Sequence, residues 1–444
     1  CPRVTDASLV SGPAAWWHGW ARDDFDALAG AIVAGHVIEC GPQATGGNYS
    51  FLDEIRDRRY PGFPIAEIAA DGSSVITKHE GTGGLVSVGT VTAQLLFEIA
   101  EPAYLNPDVT THFDTARLEQ EATDRVAITG TKGSPPPQTL KVALNMLGGY
   151  RNTMTMVLTG LDIEQKAEHA RSLLLDSLGG TDAFDEFDVR LLRFGRPDAP
   201  TNEQATAHLR ITVKGQDERA AGRAFSDAVL EQALGGYAGF HLTTPPTGAS
   251  AFGIYWPALV PASEVTQTVH LPDGTTQDIP HTASGSQTPS APQTSPAPHT
   301  TLSPPATSPT LTTSASLATF TPPDSRAAVA APLGQLCGAR SGDKGGNANV
   351  GFWARDDRAY AWLRAELSTE QLRKLLPEAS SLAIDRFELP NIRALNFVIH
   401  GLIAPGVAAT TRPDAQAKGL GEYLRSRFVD VPAELLGLSS GQSS

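Results

Sequence analysis

The sequence predicts an α/β body that contains a split βαβ part, followed by a disordered linker and a small α+β carboxy-terminal unit. Three observations carry this expectation. At 444 residues and 41 % hydrophobic content, the chain has enough apolar surface for more than one sizeable core. Helical and strand-like periodicities alternate from Asp24 to Trp256 and again from Gly334 to Arg427. Between these regions, from His281 to Pro323, 28 of 43 residues are Pro, Ser or Thr and none is charged, so the segment has too little apolar surface to offset its ordering entropy. With its polar, Pro-spaced flanks included, it divides the chain into a body 1–258, a linker 259–330 and a terminal unit 331–438.

In the body, Asp24 to Gly35 places Phe25, Leu28, Ala29 and Ile32 at helical spacing behind an acidic first turn. Val37-Ile38 leads into Cys40-Gly41 as a short buried strand would. Ser74 to Thr77 reads as a strand, Glu80 to Gly84 as a glycine loop and Thr90 to Glu98 as a helix, a layout that aims backbone N–H groups at a ligand. From about residue 125 the rhythm changes. Strand-like Leu140 to Met146 precedes a helix over Asp162 to Leu178, in which Asp162 and Gln165 have the chemistry of a capping box. Strands at Phe187 to Phe194 and Ala207 to Val213, a helix from Glu218 to Leu234 and an aromatic run from Phe252 to Trp256 complete the split βαβ pattern. In the terminal unit, Gly334 to Ala339 and Ala348 to Ala354 are strand-like around a polar glycine loop. Ala359 to Leu376 is helical, Leu382 to Leu389 and Ala394 to His400 return to strand, and a helix spans Asp414 to Arg427.

Composition narrows the function. With 34 Lys and Arg against 48 Asp and Glu, the net charge of −14 argues against tracking a phosphate backbone, so no nucleic-acid partner is expected. Cys1, Cys40 and Cys337 make no disulfide framework and no C-x-x-C pair, which favours a reducing compartment. No apolar run reaches membrane-spanning length and no signal-peptide pattern opens the chain, so a cytoplasmic protein without a membrane partner is expected. The chain starts at Cys1 directly in patterned sequence, which reads as a fragment or processed product and weakens the localisation.

Four polar loops concentrate chemistry. Arg3 could hold an anionic group, while Thr5 or Asp6 could equally be a simple helix cap. The cluster Trp16-Trp17-His18-Gly19-Trp20 fits a groove wall, an interface or core packing alike. Glu39 to Tyr49 gathers Glu39 as a candidate acid or base, with Gln43, Thr45, Gly46, Gly47 and Asn48 as substrate positioners. Cys40 reads as a nucleophile or as an inert buried thiol, and His36 with Glu39 and Cys40 lacks a recognised zinc spacing, so no metal is expected. The loop Glu80 to Gly84, with Thr82 and Gly83, could cradle a carboxylate or a coenzyme A phosphate at a helix start, or be a tight structural turn. In Gly338 to Asn349, Arg340, Lys344 and Asn347 resemble an anion site beside Asp343, a second candidate acid or base. A solvated hairpin with an internal Asp–Lys pair is the alternative.

The segments RVTDASL, GPAAWWHGW, GHVIECGPQATGGNYS, EGTGGLVSVGTVTAQLLFEI, GARSGDKGGNANVG and TRPDAQAKGLGEYLR, taken in this order, resemble the acyclic terpene utilisation (AtuA-like) family. The resemblance covers the body and the terminal unit and leaves out the linker, whose composition is similar to that of fungal members. It implies an α/β body with a carboxy-terminal ferredoxin-like unit, and a role in citronellol- and geraniol-type breakdown, where acids are processed as coenzyme A thioesters. Family members usually carry a further amino-terminal α/β segment ahead of the RVTDAS motif. The expected ligand is a small branched carboxylic acid or its acyl-CoA ester, with coenzyme A entering as part of the substrate and no nicotinamide or flavin signature. An acid/base enzyme and a non-catalytic binding or assembly component both fit, and a homo-oligomer is compatible with either.

Overall fold

Residues Leu28 to Val37 are apolar or small almost without interruption, which suits a helix surrounded by protein on every side. In the computed structural model, which describes residues 6–55, 57–280 and 328–437, they form the buried centre of helix α2 (Phe25–Ile38). Val37 and Ile38, expected as a strand, are instead its last turn, and Glu39 caps it in helical geometry. Helix α1 (Asp6–His18) packs along α2. Its Trp16 and Trp17 are 82 % and 76 % exposed, so these two rings are not core. Trp20 donates its indole N–H to the Ala70 carbonyl at 2.7 Å and stacks on His18.

Four antiparallel strands form the first sheet, in the order Pro64–Ile68, Ser74–Lys78, Arg125–Thr129 and Arg117–Ala122. Helix α3 (Val88–Leu95) follows the glycine loop as expected and opens on a capping box, in which Ser87 and Thr90 bond each other's backbone N–H. A three-stranded sheet of Ala103–Leu105, Thr110–His112 and Lys132–Ser134 lies beside α2.

The carboxy-terminal sheet runs Cys337–Lys344, Asn347–Ala354, Ala394–Ile399 and Ile384–Leu389, all neighbours antiparallel. Helices Asp357–Glu366 and Thr369–Leu375 connect the second of these to Ile384–Leu389. This is the lateral order of a split βαβ sheet whose edge strand is supplied from the front of the chain instead of the end. The polar stretch Gly338 to Asn349 is therefore strand for most of its length, closed by a two-residue turn at Gly345-Gly346 with Gly345 at φ 65°. The helix expected over Asp414 to Arg427 shrinks to Leu420–Arg425, because Ala417 turns left-handed and its carbonyl accepts from Ser341 Oγ at 2.6 Å.

One buried cluster contains Val33 of α2, Leu95 and Leu96 from the end of α3, Trp353 and Leu389 of the terminal sheet, and Ile392 of the turn that follows Leu389. By its contacts the chain forms two units. The first comprises 1–143, 257–404 and 416–444, and the second comprises 144–256 with 405–415. Residues 331–404 thus share a unit with 1–143. Of the stretch expected as linker, 281–327 lies outside the described residues. On its described flanks Gln267–His270 pairs with Thr276–Ile279, and Ala328–Pro332 pairs with Phe428–Pro432.

The second unit carries the expected split βαβ part. Strand Thr139–Thr159 lies between Ser250–Pro261 and Thr206–Gly215, with Glu186–Arg193 at the far side, so the order in chain terms is fourth, first, third, second. Helix Ile163–Leu178 and the segment Phe225–Leu230 close its core around Phe225, Leu174 and Ile211. Two details differ from expectation. Asp162 has φ 57° and makes no side-chain cap bond, so the capping box is absent. The helix expected over Glu218 to Leu234 is present, but it widens to π-helical geometry at Ala220–Ala224 and is interrupted at Glu231; Ser226 Oγ bonds the Gly222 carbonyl at 2.8 Å and the Thr247 carbonyl at 3.0 Å.

Candidate functional site

Alternation along Cys337–Lys344 places Arg340, Gly342 and Lys344 on one face of the sheet and Ser341 and Asp343 on the other. Across the hairpin, Gly351 pairs with Arg340 and Asn349 with Gly342. The end of α3 lies on this face. A Cβ on Gly342 would come within 2.8 Å of both Phe97 Cε2 and Glu98 Cγ, and one on Gly351 within 2.8 Å of Leu96 Cβ, so the two glycines make the close approach possible.

The C-cap of α3 and the turn after it leave backbone groups without helical partners, and the terminal sheet supplies them. Asn349 donates to the Leu96 carbonyl at 2.9 Å and accepts from the Glu98 N–H at 3.1 Å. Asn396 donates to the Ala100 carbonyl at 2.7 Å, and Lys344 Nζ to the Glu98 carbonyl at 2.6 Å. These bonds hold Glu98 in a left-handed backbone conformation, φ 58°, which is uncommon for a residue with a side chain. Glu98 is 8 % exposed.

Cations gather around this point. The Arg340 guanidinium lies 4.4 Å from the Phe97 ring centre, and Lys418 Nζ lies 3.9 Å from the same ring. Lys418 also pairs with Glu98 Oε1 at 2.9 Å, while Lys344 Nζ sits 5.6 Å from the Tyr104 ring. Arg340 is 9 % exposed and makes no hydrogen bond or ion pair among the described residues. Burial pulls its pKa down to about 10, an effect opposed by the nearby Cys40 and Glu422. The Glu422 carboxylate is itself held by Ser50 and Arg425.

Segments far apart in sequence are tied together here. Ser50 Oγ accepts from the Ala339 N–H at 3.1 Å, and Arg425 donates to the Cys337 and Ser50 carbonyls at 3.0 and 3.2 Å. Gly421 N–H donates to Ser341 Oγ at 2.8 Å, on the sheet face opposite Arg340. Lys418 therefore reaches Phe97 around the edge strand.

The residues singled out from sequence fall into separate groups. Arg340 and Lys344 belong to the cationic cluster. Glu39 follows the last residue of α2, with its carboxylate 3.7 Å from His36 Nδ1, and the His36 ring packs at an angle against both rings of the stacked Tyr104–Phe113 pair. Asp343 is on the other face from Arg340, and Asn347 accepts the Gly401 N–H at 2.9 Å to shape a turn. Thr45 is buried, its hydroxyl bonded to the Pro42 and Gly62 carbonyls, and Gly46 and Asn48 are left-handed turn residues. Gly47 donates to the Pro42 carbonyl at 2.8 Å. Gln43 Oε1 is buried and has no hydrogen-bond partner among the described residues. Arg3 and the Asp6 side chain lie outside the described residues.

The loop Glu80 to Gly84 does not offer an anion cradle. The Thr82, Gly83 and Gly84 amides donate to the His79, Tyr60 and Asp57 carbonyls, and Leu85 donates to Thr45. The entry to α3 is likewise occupied, since Val86 and Val88 donate to Asp124 and Gln120. Two cavities, of about 180 and 150 Å³, lie elsewhere, one bounded by Asp26, Asp71 and Lys132 and the other by Trp362 and Gln371. Among the described residues no cluster of His, Cys, Asp or Glu is placed to hold a metal, and no helix is long and apolar enough to cross a membrane.

Fold and site together define a mixed α/β protein with a ferredoxin-like carboxy-terminal domain and a buried cationic cluster where that domain meets α3. The chain belongs to the acyclic terpene utilisation family: the family model for AtuA matches residues 1–271, and that for the AtuA ferredoxin-like domain matches residues 331–430. No curated protein and no solved structure matches the chain.

Proposed function

We propose that this member of the family acts on a small branched carboxylic acid or its coenzyme A thioester, with the anionic group held by Arg340 and Lys418 and with Lys344 beside them. One observation supports this above the others. Among the described residues Arg340 is a buried guanidinium with a ring beneath it and no carboxylate bonded to it, an arrangement that is unfavourable for the empty protein and favourable once an anion arrives. The sequence candidates Gln43, with its buried and unsatisfied amide oxygen, and Glu39, with His36, are the further polar groups proposed to act on the substrate.

The test is calorimetric titration of the full chain with isovalerate and with isovaleryl-CoA, for the wild type and Arg340→Met. Loss of charge-assisted hydrogen bonds predicts a penalty of about 1.5–3 kcal/mol, a weakening of roughly 10- to 150-fold. Absence of binding of either probe to the wild type, or equal binding by both proteins, would overturn the proposal.

A further inference from the structure

We infer that Glu98 is the proton-transferring carboxylate of this cluster, removing a proton from the carbon beside the carbonyl of a bound acyl thioester. The inference rests on the acyl-substrate reading above and adds a catalytic residue and a reaction class to it. Three independent features single out Glu98 among the carboxylates nearby. Its backbone is held left-handed at φ 58° by Asn349 and Lys344, and such conformations in residues other than glycine persist where the surroundings enforce them and cluster at functional sites. Its side chain is buried, and Gly342 makes room for its Cγ. Its partner Lys418 shares the Phe97 ring with Arg340, so two cations flank the place where a substrate would meet the carboxylate. Asp343 is on the opposite sheet face from Arg340.

The chemistry balances without any added reagent. The Cα–H bond of the thioester breaks, the proton forms an O–H bond with Glu98, and the electron pair moves into an enolate whose charge sits on the carbonyl oxygen. Arg340 and Lys418 are the groups that would stabilise that oxygen. Return of the proton regenerates the thioester, and return of a deuteron from heavy water labels it.

The experiment follows the loss of the C2 proton signal of isovaleryl-CoA in heavy water by proton NMR, with thermal-shift binding of the same probe measured in parallel. The wild type is expected to catalyse exchange, and Glu98→Gln to lose it by 100-fold or more while still binding the probe. Glu98→Asp, whose shorter side chain tolerates the left-handed backbone, keeps the carboxylate and is expected to retain partial exchange, which separates loss of the acid from loss of fold. Binding by the wild type without exchange, or exchange in Glu98→Gln within threefold of wild type, would overturn the role of Glu98 and leave the acyl-substrate reading intact. No binding by the wild type would overturn both.

Discussion

Arg340→Met is expected to make the protein more stable while removing anion binding, and the size of the gain follows from the burial of the guanidinium. Its pKa falls from the ordinary guanidinium range to about 10, first because burial disfavours the charged form. At about 1.4 kcal/mol for each unit of pKa, holding the charge there costs the fold about 3 kcal/mol. The sign is fixed: a base whose pKa falls on folding is charged in both states at neutral pH, so the cost is present at pH 7 and fades only above pH 10. Methionine fills a similar volume without the charge. It forfeits the cation–π contact with Phe97, worth up to about 2 kcal/mol, and recovers part of that through its sulfur. The balance is a stabilisation of about 1–2 kcal/mol, or a rise in melting temperature of about 2–6 °C in the transition of the unit that contains 1–143 and 331–404. Circular dichroism on heating and urea titration both read this. A drop in stability of 1 kcal/mol or more would show that Arg340 holds the fold together, and the argument that its charge awaits a ligand would fail.

Two further outcomes follow from the same region. Gly342→Ala forces a methyl group to within 2.8 Å of Glu98 and Phe97, so it should destabilise by about 1–3 kcal/mol in urea titration, and an unchanged midpoint would contradict the described packing. Cys337 is wholly buried with its thiol pushed up to about 12, so iodoacetamide at pH 8 should leave it unmodified in the native protein and label it only on unfolding, as peptide mass spectrometry would show.

Local pattern made much of the fold legible. The strand at Ser74, the helix after the glycine loop and the split βαβ order of 139–261 all follow from periodicity and turn residues over short windows. Val37 and Ile38 misled because a helix buried on every side has no polar stripe, so its last β-branched turn resembles a short strand. Arg340 to Lys344 looked like a loop because glycine and charge are rare in strands, yet Gly342 and Gly351 are there to receive the end of α3. Arg340 and Lys344 stood out by their chemistry. Phe97, Glu98 and Lys418 were missed as site residues because their meeting depends on contacts across more than half the chain. The one local signal was an acidic residue closing the otherwise uncharged TVTAQLLFE segment.

Ser50 clasps the edge strand at Ala339, and the C-cap of α3 and the turn after it are bonded by asparagines from the terminal sheet, so the first 143 residues depend for closure on a stretch made much later by the ribosome. Residues 144–256, synthesised in between, can complete their own core sooner. During synthesis the apolar ends of α2 and α3 must therefore wait uncovered until Trp353, Leu389 and Ile392 emerge. A chain stopped before residue 331 would leave that surface open to chaperones or to aggregation, whatever became of the cationic cluster.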